Sequence, residues 1–538
     1  MTVPTPQTPP ALPAKPVSAP DMPLWGRMEL LWLVMAPLCA LIFALCSPLA
    51  PNDLWYHVRA GEFIARGAIP NQNGMSNGVA LDAPYYYQSW LAELGLFATL
   101  QLGGLSGLAL LRGFCLSATL GLVVVASFRR LLRLSPAPSR LLAARLSAFS
   151  ALVGLAILSN NVDLRPQTFS VFFFGAWIFA VGEFRAQNGT RRARWGAFLV
   201  ALTAIWANTH GAFAVSVLGL AALALGDSLS RHPRARFSWG IAAASFAAVA
   251  LNPRGLGLYV YVAQLSNNEI GQRFIQEWKS PGLDEWHSAL FWLTALGVTA
   301  WWLLSRRASK TKNENWGEVA AFGLFFVMAA RDQRAMIWFA LWTTPLLASL
   351  AAQKFASSSM AERPLPRAAW YFNAALLAFL LLCPLAFLPT IKPSFPWPNE
   401  FARRFAPTPA SLFAADPPLL LENTTPVAAA QWLRRNPPRG LVFTDMVCGS
   451  YLTWATHPDI KPWCDPRIEL FPVAFWEDYL RLSSGPRDAA DELARRGFSD
   501  ALLDRETQPG LVRRLEQSPQ WQIKARSGST ILFRHSAR

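Results

Sequence analysis

The sequence predicts an α-helical polytopic membrane protein that carries a small C-terminal α/β domain, and three observations lead there. Hydrophobic residues make up 53% of the 538 and charged residues only 15%, against roughly 25% charged in ordinary soluble domains. Apolar stretches recur at 28 to 46, 105 to 127, 141 to 158, 168 to 184, 196 to 207, 212 to 228, 238 to 251, 287 to 304, 317 to 330, 335 to 352 and 368 to 389. Beyond residue 419 these give way to short alternating helical and extended patterns in a more polar background. About eleven transmembrane helices are expected, although 196 to 207, 238 to 251 and 317 to 330 fall short of the roughly 20 residues needed to cross hydrocarbon.

Residues 1 to 24 are rich in Pro, Ala and Thr and cannot bury a core; they read as a disordered cytoplasmic tail. This leader lacks the short basic start of a cleavable signal peptide, so the first span is expected to stay as an anchor. The formal charge of +16 raises the question of nucleic acid, and its placement answers it. Loops 128 to 140, 185 to 195, 229 to 237, 305 to 316 and 353 to 367 hold 18 Lys and Arg, whereas the longer opposite set holds 8. By the positive-inside rule the first set and the N-terminus are cytoplasmic and the C-terminal domain lies outside, with no nucleic-acid partner.

The transmembrane domain is expected over 25 to 392, with a long first external loop at 48 to 104. In that loop Trp90, Leu91, Leu94, Phe97 and Ala98 recur at helical spacing within Gln88 to Leu102, the pattern of a helix lying along the membrane surface. The loop 252 to 286 carries Tyr259, Tyr261, Phe274 and Trp278, a second interfacial candidate. A Pro-rich linker at 393 to 418 leads to the domain at 419 to 538. There Ala428 to Arg435 and Ala489 to Arg496 read as helices, Leu441 to Thr444 and Ala501 to Leu503 as strands, and Trp521 to Lys524 with Thr530 to Phe533 as a hairpin around Ser527-Gly528. Four cysteines, Cys39, Cys46, Cys115 and Cys383, lie in spans and act as small apolar groups. Cys448 and Cys464 fall outside, where an oxidising compartment permits a disulfide.

Polar residues cluster at span ends on the external side. Asp53 and His57 follow the first span, within Asp53-Leu54-Trp55-Tyr56-His57; Asn160, Asn161, Asp163 and Arg165 follow the third, and Asn208 and His210 the fifth. Arg254 follows the seventh, Glu277 and Lys279 precede the eighth, and Arg331, Asp332 and Arg334 join the ninth to the tenth. Ionisable groups at such depth cost roughly 2.5 to 3.5 kcal/mol each at mid-bilayer, so their retention points to function. Each alone also has a structural explanation: ion pairs at helix ends for Asp163 with Arg165 and Asp332 with Arg334, a backbone-bonded ring for His210, belt aromatics around Asp53. Collectively they can line one cavity, with Asp53 placed to act as a general base. Asp53 and His57 would share a helix face and could take a divalent cation such as Mg or Mn, though two ligands do not define a site. Phosphate-loop, H-E-x-x-H and G-x-S-x-G signatures are missing, which argues against ATP hydrolysis and common protease chemistry.

On these residues the chain resembles bacterial multispanning proteins related to the GT-C glycosyltransferase superfamily. The matching stretches are Asp53-Leu54-Trp55-Tyr56-His57 with Gly61, Trp90-Leu91-Ala92-Glu93, Arg165-Pro166-Gln167, Trp206-Ala207-Asn208-Thr209-His210-Gly211 and Asn252-Pro253-Arg254-Gly255. They continue through Glu277-Trp278, Arg331 with Arg334, Gly449-Ser450-Tyr451-Leu452 and Asp465-Pro466-Arg467. The resemblance implies a GT-C-like fold in the cytoplasmic membrane. It implies transfer of a sugar from a polyprenyl-phosphate donor to an envelope acceptor, with membrane lipids as further partners. Asp53 would take the proton of the acceptor hydroxyl. His57, Asp163, Arg165, Asn208, His210, Arg331 and Arg334 would hold substrate and phosphate, and Glu93, Glu277, Asp465 and Arg467 would sit on the acceptor side.

The chain departs from the family pattern in three places. Gln88 and Ser89 stand where relatives often carry a His-Glu pair, Tyr56 where Trp is usual, and Pro466 where Gly is usual; the first leaves metal dependence open. Asp465, Arg467 and Tyr451 have a structural reading as well, with Asp465 and Arg467 fixing turns of the small domain and Tyr451 packing from a strand. Two rival functions remain at this point: a transporter or flippase of lipid-linked glycans, which needs ionisable groups near the midplane, and a noncatalytic envelope scaffold.

Overall fold

A computed structural model describes residues 23–308, 316–355, 366–398 and 420–536. Most of the expected tail and of the Pro-rich linker lies outside the described residues. Among the described residues fourteen α-helices precede the linker: α1 Met28–Cys46, α2 Leu54–Ala65, α3 Trp90–Leu132, α4 Arg140–Leu158, α5 Pro166–Ala186, α6 Gly189–Ala207 and α7 Ala214–Leu229; then α8 Ala235–Ala248, α9 Gly257–Ser266, α10 Glu269–Phe274, α11 Trp286–Ala308, α12 Trp316–Arg331, α13 Met336–Phe355 and α14 Arg367–Leu382.

Helix occupies all eleven apolar stretches, and eight of these are long and apolar enough to cross a membrane. By length and composition alone, eight candidates stand among the described residues beside the eleven expected. The three that fall short are α6, α8 and α12, the same stretches whose apolar runs were short in the sequence. The protein is a multi-pass membrane protein. Its interior is aromatic: Phe174 stacks on Trp177 at 5.4 Å, and Phe325, Trp338 and Trp342 close around them. Gly219 makes room for this cluster, since a Cβ there would lie 2.8 Å from the Trp177 ring.

The interfacial helix expected before 105 is the first part of α3. Gly104, with φ 57° and ψ −153°, breaks the helical course inside α3, a conformation open to glycine and strained for other residues. It separates the amphipathic segment from Trp90 onward from the membrane span that follows. The second interfacial expectation corresponds to α9 and α10.

The C-terminal domain is a four-stranded sheet with helices. Strands β1 Leu441–Thr444, β2 Phe498–Asp504, β3 Trp521–Ser527 and β4 Thr530–His535 lie in the order β1-β2-β4-β3. The β1 and β2 strands are parallel and the remaining pairs antiparallel, so the connection from β1 to β2 must cross over. It does so through helices Met446–Ala455, Val473–Ser483 and Ala489–Arg495. Gly528, at φ 55°, turns the β3–β4 hairpin. Tyr451 lies on the first of those helices rather than on a strand, and its ring meets Trp55 of α2 edge-on at 5.1 Å. Cys448 and Cys464 are buried with free thiols, so the bridge permitted by the sequence is not formed here.

The domain is fastened to the first external loop. Asp465 and Arg467, both fully buried, pair at 2.6 Å. Arg467 also donates to Asn73 O and Oδ1 at 3.1 and 2.7 Å and reaches Tyr87 Oη and Ser76 Oγ at 3.4 Å. On α2, the Tyr56 amide donates to Ser450 Oγ and Arg59 donates to the Thr453 and Trp454 carbonyls. The end of the helical bundle and one side of the small domain thus face each other across α2.

Candidate active site

Asp53 sits at the N-cap of α2 but makes no side-chain capping bond. Its carboxylate, 27% exposed, instead faces the Arg165 guanidinium at 3.5 Å. One turn on, His57 Nδ1 lies 2.8 Å from Glu93 Oε1, both groups buried. This pair depends on how closely α2 and α3 run. Gly61, one turn past His57, rests on the Glu93 backbone, where a Cβ would lie 2.0 Å from the Glu93 carbonyl oxygen. Any larger residue would push the helices apart and separate the pair. The second oxygen of Glu93, Oε2, is buried without a hydrogen-bond partner among the described residues.

Arg165 occupies an extended position before Pro166, with φ −156°, as residues preceding proline favour. Its guanidinium donates to Asn161 Oδ1 at 2.7 Å and Glu277 Oε2 at 2.8 Å. Arg334 approaches the same Glu277 oxygen at 3.5 Å, donates to Gln167 Oε1 at 3.3 Å and lies 5.3 Å over the Trp278 ring. Two guanidiniums therefore converge on one carboxylate oxygen. Burial pushes the Glu277 carboxyl up, but Arg165 and then Arg334 more than offset this and hold it below the ordinary glutamate range. Burial, followed by the positive charges of Arg334 and Arg165, holds the His210 ring well below the usual histidine value, so it is neutral at physiological pH. Its Nδ1 accepts from the Ala212 amide at 3.2 Å and lies 3.0 Å from Ser170 Oγ, which leaves the ring proton on Nε2.

These groups line a cavity of about 270 Å³ between the bundle end and the C-terminal domain, which contributes Met446, Val447, Pro466, Ile468 and Glu469. A second cavity of about 600 Å³ adjoins it and shares Tyr85, Tyr261, Leu265 and Glu469. Tyr85 and Tyr261 donate to Glu469 Oε1 at 3.1 and 2.9 Å. Burial first, and the Glu469 charge second, raise both phenols well above the usual tyrosine value, so they remain donors.

Of the residues expected at the site, Asp53, His57, Glu93, Arg165, His210, Glu277 and Arg334 meet in the cavity. The others do not line it. Asp163 accepts from the Asn52 amide at 2.6 Å and sets the turn into Asp53. Asn208 is consumed in fastening helices, accepting from Trp90 Nε1 at 2.9 Å and donating to the Ala204 carbonyl. Arg331 is exposed and donates to Ser266 O and Asn267 Oδ1 at the end of α9. Asp465 and Arg467 form the buried interdomain lock described above, and Asp465 Oδ1 also accepts from the Arg467 amide at 3.1 Å, so the pair fixes a turn of the small domain as well. Sequence reasoning missed Gln167, which orients Arg334, and Glu469, which orients two tyrosines. Only their nearness to Arg165-Pro166 and Asp465-Pro466-Arg467 could have flagged them. As for a divalent cation, no group of three His, Cys, Asp or Glu side chains suited to a metal occurs among the described residues, and His57 Nδ1 pairs with Glu93 Oε1.

The fold is that of a multi-pass membrane protein, GT-C-like in its arrangement of helices. Among solved structures, the chain is similar to ArnT from Cupriavidus metallidurans. The apo state matches with a TM-score of 0.53 at 12% identity, over 94% of this chain and 97% of that one. The form bound to undecaprenyl phosphate matches with a TM-score of 0.51 at 13% identity and the same coverage. It is also similar to the apo oligosaccharyltransferase of Archaeoglobus fulgidus, with a TM-score of 0.50 at 14% identity, over 89% of this chain and 70% of that one. At such identities the likeness is one of fold. No protein-family model and no curated protein sequence matches the chain.

Proposed function

We propose that the protein is an integral-membrane glycosyltransferase that moves a sugar from a polyprenyl-phosphate donor to the hydroxyl of an envelope acceptor. The observation that carries this reading is the partly exposed Asp53 carboxylate beside two arginines that converge on a single acceptor oxygen. Guanidinium forks match phosphate oxygens, and a carboxylate in reach of an incoming hydroxyl suits a general base. The likeness to ArnT, solved with undecaprenyl phosphate, supports the donor class.

In the reaction the donor phosphate replaces Glu277 between Arg165 and Arg334. Asp53 takes the proton of the acceptor hydroxyl as its oxygen bonds to the anomeric carbon. The bond from that carbon to the phosphate oxygen breaks, and its electron pair leaves with the polyprenyl phosphate, whose added charge the two arginines stabilise. The configuration inverts, and no nucleotide is needed. Neutral His210 supplies an Nε2–H donor, and His57, oriented by Glu93, is a second proton-handling group at the same cavity. The face opposite the cavity carries the Lys/Arg excess, so the reaction lies at the outer face of the membrane. The transport alternative needs ionisable groups near the midplane, whereas this cavity lies at helix ends. Glycolipid and glycan profiling of a strain lacking the protein, beside one carrying Asp53→Asn at normal protein level, tests the proposal. Loss of one product in both, with build-up of its lipid-linked sugar, is expected; full product with Asp53→Asn contradicts it.

A further inference from the structure

At the end of the bundle opposite the Asp53 cavity lies a second charged cavity, of about 280 Å³. Its position follows from two glycines. Gly226 of α7 and Gly317 of α12 touch backbone to backbone, where a Cβ on Gly226 would lie 2.1 Å from the Gly317 nitrogen. The residues that follow them, Asp227 and Glu318, therefore enter one cluster, and the Arg185 guanidinium lies across Gly317.

Five arginines share three carboxylates in this cluster. Arg133 and Arg129 bind Glu183, Arg185 and Arg234 bind Asp227, and Arg130 forks onto Glu318 at 2.5 and 2.8 Å. Among the described residues these arginines outnumber their carboxylate partners by two, and four of them, Arg130, Arg133, Arg185 and Arg234, line the cavity. The other wall is apolar, built from Leu134, Ile178, Phe179, Trp342 and Leu346. One side of the cavity thus suits a phosphate and the other an acyl chain, and basic pockets between helices at the cytoplasmic leaflet suit anionic lipid headgroups.

We infer that this cavity is a binding site for an anionic phospholipid, its phosphate taken by Arg133 and Arg130 and its chain laid along Phe179 and Leu346. The site is independent of the transferase reading, since none of these residues lines the Asp53 cavity. Binding of dioleoylphosphatidylglycerol to the purified full-length protein in phosphatidylcholine nanodiscs tests it, read by native mass spectrometry, with inorganic phosphate as the competing anion. Two variants are compared. Arg133→Gln removes the more exposed of the two phosphate-binding arginines. Gly182→Leu fills the cavity and leaves every ion pair in place, because Gly182 lines it and a Cβ there meets nothing within 4 Å. Leucine also favours the helix over glycine, so this variant folds. Wild type is expected to retain phosphatidylglycerol over phosphatidylcholine and each variant to lose it by about tenfold or more. Equal retention in Gly182→Leu, or no preference in wild type, overturns the site; displacement by millimolar inorganic phosphate overturns the lipid assignment in favour of a free anion.

Discussion

The two ends of the helical bundle are both rich in arginine, but they bind their carboxylates differently. At the far end, Arg133 holds both oxygens of Glu183 at 2.7 and 2.9 Å and Arg234 both oxygens of Asp227 at 3.0 Å. At the end facing the C-terminal domain, Arg165 holds one oxygen of Glu277 at 2.8 Å, and Arg334 reaches Glu277 and Arg165 reaches Asp53 only at 3.5 Å. Short bidentate forks are strong and directional, whereas long single contacts lose little when a ligand replaces them. The difference teaches that Arg334, and Arg165 toward Asp53, can change partner at a smaller loss than Arg133 or Arg234, which must meet a ligand while keeping their carboxylates. It also separates residues whose loss stops turnover from residues whose loss loosens the molecule.

The sharpest way to break this contrast is Asp53→Asn. A lost general base lowers turnover by roughly 10²- to 10⁴-fold, and the thermal midpoint should barely move because the side chain is partly exposed and meets Arg165 only at 3.5 Å. Arg467→Met should do the reverse. It strands the buried Asp465 carboxylate, a loss of about 3 to 5 kcal/mol, seen as a lower thermal midpoint and faster proteolysis between the domains. A third change sharpens the loose end: Glu277→Gln removes the charge that competes for Arg165 and Arg334, so undecaprenyl phosphate should bind a few-fold more tightly in a titration. The smallest effect concerns pH. Glu277 is held below the ordinary value, so its pairing is complete above that value and is lost only as pH falls through the lowered one. Undecaprenyl phosphate binding should therefore show no step from Glu277 between about pH 6 and 8, and a histidine-like step abolished by Glu277→Gln would contradict the assignment.

Much of the bundle was legible because apolar runs between basic loops leave few alternatives to membrane helices. The α2 helix was harder. Its twelve residues include Asp53-Leu54-Trp55-Tyr56-His57, which read as a motif at the surface before the structure placed all but its first residue on a helix. In the small domain the strands and the hairpin were visible, but Met446–Ala455 was not recognised as a helix, since Val447, Tyr451 and Leu452 suit a strand as well and only tertiary packing against Trp55 decides. The site was legible in kind: charges at the ends of apolar spans pointed to Asp53, Arg165, His210 and Arg334. What sequence could not supply was burial and partner. Asn208, Arg331, Asp465 and Arg467 are the same residue types in the same setting, and only their hydrogen bonds reveal that they fasten helices and domains. Glu469 and Gln167 look like ordinary polar residues until the cavity gathers them.

The most direct test is undecaprenyl phosphate binding to purified protein in nanodiscs, measured together with product formation for wild type, Asp53→Asn and Arg334→Gln. The account predicts that Asp53→Asn binds the lipid phosphate about as well as wild type yet forms no product, while Arg334→Gln loses binding by roughly tenfold. Undiminished binding in Arg334→Gln together with full product from Asp53→Asn would contradict it.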